Sequence, residues 1–210
     1  NYQNNDSGET GEIEDGHNIY VLSDEVVVNR VKSQNGTGDG VEILGDDISI
    51  VNSVFYDNWE HGIGLNGCQD FFVDNCIIDR EVNNALIGTF SGTRDTAHGV
   101  VSNCILRSPQ NRALNITAGS DGKTRDITFR NIDIFCENSG EWAVRLTSLI
   151  GDAVEGILLD DIDVYDAPRH GFFVEDNVSA RVKDLTVHGA QERGISLAGF
   201  NDVEFIRPTV

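Results

Sequence analysis

Acidic and imidazole side chains recur at one position of the sequence, directly before a small residue and a short apolar triplet. Asp39 precedes Gly40 in one instance, and Glu60 and His61 precede Gly62 in the next. If the two triplets form neighbouring strands, the carboxylates of Asp39 and Glu60 fall in the roughly 5–9 Å range that glycoside hydrolysis uses. We therefore predict that Asp39, Glu60 and His61 are catalytic.

The same position, and the outward position after it, continue along the chain with amide, guanidinium, aromatic and imidazole side chains. Guanidinium groups pair with carboxylates or hydroxyls, and aromatic rings offer stacking surfaces to sugar rings. Together these side chains suit an extended carbohydrate. The predicted substrate-binding residues are Asn84, Arg112, Asn115, Trp142, Arg145 and His170.

A repeat of 22 to 30 residues places these side chains. Its first mark is a small residue, at Gly40, Gly62, Ala85, Ala113, Ala143, Gly171 and Gly194. Its second mark is a polar residue between two apolar runs, at Arg30, Asn52, Asn75, Asn103, Asn131, Asp161, Asp184 and Arg207. Such a period indicates a solenoid, and alternating apolar residues without a helical stretch indicate strands. We predict an all-β fold, a parallel β-helix of about seven to eight coils.

We expect residues 16–210 to form one domain, with residues 1–15 as a flexible lead-in or the end of a missing cap. The small residues are expected to face outward as a groove floor, and the Asn residues of the second mark to form an amide ladder. Three consecutive coils are longer at one corner, where insertions stack into a wall. The longer segments are Ser91–His98, Thr117–Asp126 and Thr147–Gly156.

The repeat resembles the right-handed β-helix of the pectin-lyase-like superfamily, which includes polysaccharide lyases, polygalacturonase-type hydrolases, sugar epimerases and viral tailspikes. The resemblance covers residues 16–210 and implies that fold and a polysaccharide ligand. Gly38-Asp39-Gly40 is similar to the first catalytic motif of the polygalacturonase-type enzymes, and Glu60-His61-Gly62 stands where their Asp pair would be. Their Arg-x-Lys motif has no counterpart, because Leu146 and Thr147 follow Arg145.

The charge of the chain restricts its partners. There are 35 acidic and 15 basic residues, for a net charge of −20. A surface this negative repels nucleic acid and anionic lipid, so we predict neither as a partner. The composition resembles that of halophilic proteins, in which high salt screens the self-repulsion. The sequence contains no apolar run long enough to span a membrane.

The cysteines and the acidic pairs bear on disulfides and metal binding. Four cysteines do not make a disulfide framework in a chain this long, and Cys76 and Cys104 are expected to be buried as small hydrophobic residues. No Cys/His spacing indicates zinc, so we predict no metal cofactor. Ca²⁺ is left open, with candidate ligands Asp46 and Asp47, Asp121 and Asp126, or Asp160 and Asp161.

Three functions remain open at this point. The first is a carbohydrate-active enzyme on an extended polysaccharide, most simply a glycoside hydrolase, with a polysaccharide lyase as the related choice. The second is a non-catalytic glycan-binding or adhesion module of a tailspike or cell-surface protein, and the third is a structural spacer. We expect an extracellular, cell-surface or virion location. Homo-oligomerisation and a larger parent chain both stay open.

Overall fold

The structure is a computed structural model that describes residues 16–81, 84–119, 121–136, 142–148, 154–199 and 202–210. The predicted lead-in, residues 1–15, lies outside this part of the chain. Secondary structure in the described residues consists of short and medium β-strands. No helix there is long and apolar enough to cross a membrane.

The strands are numbered in chain order. They are β1 (Tyr20–Val21), β2 (Val27–Asn29), β3 (Lys32–Gln34), β4 (Val41–Ile43), β5 (Ser49–Val51), β6 (Val54–Tyr56), β7 (Ile63–Asn66), β8 (Phe72–Asp74), β9 (Ile77–Asp79), β10 (Ala85–Ser91), β11 (Thr96–Ala97), β12 (Val100–Arg107), β13 (Arg112–Ala118), β14 (Thr124–Arg125), β15 (Thr128–Phe135), β16 (Trp142–Ser148), β17 (Val154–Tyr165), β18 (His170–Glu175), β19 (Val178–His188), β20 (Arg193–Ala198) and β21 (Asp202–Ile206).

One strand from each repeat joins the first sheet, in the order β1-β4-β7-β10-β13-β16-β18-β20, and every pair is parallel. Residues on these strands alternate between the core and the outer face, as in β4, where Val41 and Ile43 are fully buried on either side of the half-buried Glu42. Because neighbouring strands come from successive repeats, the chain winds as a parallel β-helix. The predicted fold class is confirmed.

The second sheet closes the rest of each coil. Strands β2, β5, β8, β12, β15, β17, β19 and β21 form one parallel ladder, and β3, β6 and β9 continue into the later halves of the long strands. At the corner of the longer segments, β11 pairs with β14, which pairs with β17. The predicted stacking of these segments is therefore confirmed for their described parts.

The coil bends at residues in the left-handed backbone conformation. Every residue of the second mark has this conformation, with φ from 50° at Asp184 to 61° at Asp161. Asn and Asp adopt it more readily than other residues with a side chain, which explains why they predominate at this mark. The polar mark of the repeat is therefore a backbone requirement as well as a side-chain feature.

The predicted amide ladder is confirmed over part of its length. Asn75 donates from Nδ2 to Asn52 Oδ1 at 2.8 Å, and Asn131 donates to Asn103 Oδ1 at 2.6 Å. Between these pairs, Asn103 donates to Asp74 Oδ1 instead of to Asn75. Asn52 likewise donates to Asn29 Oδ1 at 3.1 Å, because Arg30 holds the second-mark position in that coil. The ladder thus shifts to the neighbouring column twice.

Apart from Ala85, which lies one position outside this column, the small residues of the first mark point into the coil, which corrects the prediction that they form a groove floor. A Cβ on Gly40 would lie 2.7 Å from Asn58 Nδ2 and 2.9 Å from Phe55 Cδ1. A Cβ on Gly62 would overlap Ile78. These residues are small because Phe55 of β6 and Ile78 of β9 pack directly behind them.

One coil is out of step with the predicted register. Ala85 pairs with Arg112, one position earlier than the small-residue column requires. Ile87 is fully buried, so Gly88 takes the outward position between Gly64 and Asn115. The outer face of the first sheet therefore carries two adjacent glycines in its central row.

Candidate functional site

A groove of about 420 Å³ lies on the outer face of the first sheet. Gly64, Gly88 and Asn115 occupy successive positions along its central row. Acidic and imidazole groups lie at one end, and guanidinium groups at the other. The predicted site residues that line it are Asp39, Glu60, His61, Asn84, Arg112, Asn115 and Arg145.

Asp39 and His61 form a hydrogen-bonded pair at the acidic end. Asp39 is 3% exposed, and its Oδ1 accepts from the backbone N–H of His61 at 2.9 Å and lies 3.0 Å from His61 Nδ1. Because Nδ1 faces a carboxylate acceptor, it carries the ring proton, and the lone pair of the neutral ring lies on Nε2. The pair therefore presents Nε2 as a proton acceptor.

The two glycines of the central row make room for this pair. A Cβ on Gly64 would overlap Asp39 Oδ2, and a Cβ on Gly88 would overlap the His61 ring. The carboxylate and the imidazole therefore lie flat on the floor of the groove, where a substrate would contact them. Any larger residue at either position would displace one member of the pair.

A second acid–imidazole pair lies beside the first. His17 Nε2 is 3.0 Å from Glu42 Oε2, and Asn66 donates to Glu42 Oε1 at 3.2 Å. The hydrogen bond with Glu42 raises the pKa of His17, and the bond from His17 lowers the pKa of Glu42. The backbone N–H of Asp39 donates to His17 Nδ1 at 3.1 Å, so the pair also fixes the start of β4.

Sequence reasoning missed His17 and Glu42 as site residues. His17 precedes β1 as Asp39 precedes β4, but the first coil lacks the small residue that marks the others. The position of His17, opposite Asp39 in the preceding coil, is the sequence feature that could have identified it as a site residue.

Two groups of described residues bring three potential metal-ligating atoms within 4.8 Å of one another: His17 with Asp39 and Glu42, and Asp39 with Glu60 and His61. In the first group, His17 Nδ1 accepts an N–H bond, so Nε2 keeps its proton and cannot coordinate a metal in this conformation. The second group offers one nitrogen and two carboxylates, whereas Ca²⁺ takes 6–8 oxygen ligands. Each group thus supplies two carboxylates, and Ca²⁺ binding stays a prediction.

The acidic pairs left open for Ca²⁺ have basic partners. The contacts are Arg94–Asp46 at 2.8 Å, Lys183–Asp160 at 2.8 Å and Arg125–Asp126 at 3.1 Å. A cation at any of these carboxylates would have to displace a positively charged side chain.

At the other end of the groove, Trp142 lies among charged and aromatic groups. The guanidinium groups of Arg112 and Arg145 lie 5.3 and 5.0 Å from its ring centroid, and the Phe173 ring stacks on it at 5.4 Å. Guanidinium groups at these distances make cation–π contacts with the ring. The ring is thus in contact with protein side chains, and Trp142 is not among the residues that line the groove. Its binding of sugar stays a prediction.

Several polar atoms on the floor of the groove have no hydrogen-bond partner among the described residues. They include Asn115 Oδ1 and Thr117 Oγ1, on residues 8% and 9% exposed, and Arg145 Nε. Buried polar atoms are normally satisfied, so these positions call for a ligand that both donates and accepts. Hydroxyl-rich molecules meet that requirement.

His170, the last predicted binding residue, lies beyond the groove lining. Its ring stacks on Phe173 at 5.6 Å, and burial lowers its pKa. The rings of Trp142, Phe173 and His170 form a stacked row that leads away from His61. His170 therefore does not join the acidic end of the groove.

Comparison with known proteins found no matching family model and no matching curated protein. Among solved structures, pectate lyase Pel9A matches with a TM-score of 0.64 at 12% identity, over 91% of this chain and 55% of that one. The Azotobacter vinelandii mannuronan C-5 epimerase AlgE4 A-module matches with a TM-score of 0.48 at 15% identity, over 88% of this chain and 61% of that one. The Agl-KA catalytic domain matches with a TM-score of 0.34 at 13% identity, over 90% of this chain and 46% of that one.

This chain thus spans little more than half of Pel9A. At 12% identity the likeness concerns the fold, and that fold agrees with the two parallel sheets described above. The chain has the pectin-lyase-like parallel β-helix fold.

Proposed function

We propose that this protein is an enzyme that acts on an acidic polysaccharide, using His61 to remove a proton from the carbon next to a sugar carboxylate. The observation that carries the proposal is the Asp39–His61 pair, with Oδ1 and Nδ1 3.0 Å apart on the floor of a groove. A carboxylate that fixes the imidazole tautomer leaves Nε2 ready to act as a general base.

The guanidinium groups support an acidic substrate. Arg112 donates from Nη1 to Asn84 Oδ1 at 3.1 Å, so its side chain reaches toward the coil next to His61. Arg145 lies one coil further along the groove. Guanidinium groups bind carboxylates, and binding to a sugar carboxylate neutralises the charge that otherwise opposes loss of the neighbouring proton. Arg145 already contacts Glu175 at 2.8 Å and would exchange this partner for the substrate. Pel9A is named a pectate lyase, and pectate is a polysaccharide of this acidic class.

The proposed reaction is β-elimination. His61 Nε2 takes the proton from the carbon that bears the carboxylate, and the electron pair of that C–H bond forms a carbon–carbon double bond. The neighbouring C–O bond to the leaving sugar breaks, and the released oxygen takes a proton. A carboxylate oxygen of Glu60 lies within 4.8 Å of an oxygen of Asp39 and a ring nitrogen of His61. Glu60 is therefore the candidate for delivering that proton.

A retaining glycoside hydrolase is the second candidate. The carboxylate oxygens of Asp39 and Glu60 come within 4.8 Å of each other, which suits the short separation used by retaining enzymes. Against this, Asp39 is almost fully buried and its Oδ1 already engages His61 twice. A carboxylate so engaged is better suited to orient His61 than to attack a sugar.

Product analysis separates the candidates. The protein would be incubated with a panel of acidic and neutral polysaccharides, and the products followed by ultraviolet absorbance and mass spectrometry. We expect unsaturated oligosaccharides from an acidic polysaccharide only. Saturated products with new reducing ends would support the hydrolase. Retention of the glycan without any product would contradict both and favour the adhesion module.

A further inference from the structure

A chain of polar side chains, partly buried at Asn18 and buried at Asn58 and Glu81, runs behind the first-mark residues, on the inner side of the groove wall. Asn18 donates from Nδ2 to Asn58 Oδ1 at 3.1 Å, and Asn58 donates from Nδ2 to Glu81 Oε1 at 3.2 Å. Asn58 is fully buried and Glu81 is 2% exposed. We call these three residues the polar ladder.

The ladder is bonded to the backbone segments that lead into the site. The N–H of Asn58 donates to Glu81 Oε2 at 2.6 Å, and the N–H of Gly36 donates to Asn58 Oδ1 at 3.0 Å. Asn58 lies shortly before His61 in the chain, and Gly36 lies shortly before Asp39. The ladder therefore fixes the two segments that carry the proposed base and the carboxylate that orients it.

Asn58 and Glu81 also pack closely against two glycines of the groove wall, Gly40 and Gly62. A Cβ on Gly40 would lie 2.7 Å from Asn58 Nδ2, and a Cβ on Gly62 would lie 3.1 Å from Glu81 Oε1. These glycines directly follow Asp39 and His61. A displacement of Asn58 or Glu81 would thus be passed to the site through tightly packed backbone.

Both oxygens of Glu81 accept hydrogen bonds from Asn58, and only the ionised carboxylate offers two oxygens free of protons. Burial raises the pKa of Glu81 to about 8, although the two bonds from Asn58 oppose the increase. The facing charges of Asp57 and Asp39 add to it, and Asp57 is itself paired with Arg80 at 3.0 Å. Protonation places a hydrogen on one oxygen and weakens its bond to Asn58.

We propose that Glu81 is a positioning residue whose ionised carboxylate, acting through Asn58, holds the segment of Glu60 and His61 in its working place, and whose protonation loosens that segment. The proposal deepens the proposed function, because it concerns the regulation of the same site. The His61 geometry then changes with the charge of Glu81, in addition to the ring's own titration.

Proton NMR of the histidine ring signals tests this without any substrate. The chain has five histidines, and His61→Gln identifies the His61 signals by their loss. In the wild-type protein we expect these signals to shift twice with pH, once for the ring itself and once with a midpoint at about 8. In Glu81→Gln, a neutral mimic of the protonated acid, the second shift should vanish, and only the shift of the ring itself should remain.

Asp133→Asn is the matched control, because burial also raises the pKa of Asp133, which lies on β15 away from the groove. This variant should keep both shifts. A wild-type protein without the shift near pH 8, or a Glu81→Gln protein that retains it, overturns the proposal. If Glu81→Gln does not fold, the wild-type and Asp133→Asn titrations still decide. Failure of the proposed function would appear separately, as absence of product with both shifts intact.

Discussion

At the scale of single residues, the site depends on one carboxylate that orients one imidazole. Asp39 accepts from both the backbone and the ring of His61, and the glycines beside them leave room for the two side chains. From this arrangement we propose an orienting role for Asp39 and the proton transfer for His61. Sequence reasoning grouped Asp39, Glu60 and His61 but assigned hydrolysis to the two carboxylates.

Asp39→Asn should lower kcat by about 10²–10⁴-fold while changing KM little, because the amide favours the wrong tautomer of His61. Steady-state kinetics on the acidic polysaccharide would measure this. Asp163→Asn, on the far side of the coil, serves as the control and should retain wild-type rates. A kcat within about threefold of wild type in Asp39→Asn would contradict the orienting role.

Glu81 should also make stability depend on pH. Its pKa rises from 4.5 to about 8 on folding, so between these values the folded state holds a proton that the unfolded state has lost. Stability from this group is therefore present below pH 4.5 and decreases as pH rises towards 8, by an amount on the order of a few kcal/mol.

Urea unfolding of wild type and Glu81→Gln at several pH values would measure that decrease. The difference in unfolding free energy between the two proteins should change across this pH window and level off on either side. A constant difference would show that folding does not raise the pKa of Glu81.

At the scale of elements, the corners of the coil combine backbone conformation with side-chain bonding. Asn75 has a φ of 52° and donates to Asn52. Asn75→Ala should lose both the conformational preference and the bond, at a cost of about 1–2 kcal/mol for the conformation alone. Asn75→Gly keeps the conformation and loses only the bond. Thermal unfolding should therefore rank wild type above Gly and Gly above Ala, and equal Gly and Ala variants would refute the backbone requirement.

The guanidinium cluster around Trp142 belongs to the same scale, because β13 and β16 must stack in register to form it. Trp142→Ala removes the cation–π support of Arg112 and Arg145, and affinity for an acidic oligosaccharide should fall about tenfold or more. Calorimetric titration would measure this. Phe135→Ala, from the separate Phe135–Tyr165 stack, is the matched control. An equal loss for a neutral oligosaccharide would contradict the charge-based role.

The repeat made the strands, the corners and most of the groove residues predictable, because coil-to-coil stacking places like positions side by side. The direction of the small residues was not predictable, because it depends on how close Phe55 and Ile78 come from the opposite side of the coil. Glu81 was missed for a related reason. An acid at a corner reads as a surface charge in sequence, and only the packing shows that it is buried.

At the scale of the whole molecule, the net charge of −20 opposes compaction. Salt screens this repulsion, so we expect the melting temperature to rise as salt increases from millimolar to molar concentration. Differential scanning calorimetry at fixed pH would follow the change. A melting temperature that is constant over that range would argue against the halophile-like interpretation of the composition.

The most direct test of the central claim compares initial rates of product formation from an acidic polysaccharide for wild type, His61→Gln and His188→Gln. His188 stacks on Tyr165 outside the groove, so its replacement controls for the general loss of an imidazole. We expect wild type and His188→Gln to release unsaturated oligosaccharides at similar rates, and His61→Gln to lose about 10²–10⁴-fold in rate while still binding the polysaccharide. Unsaturated product formed by His61→Gln at the wild-type rate would contradict the claim.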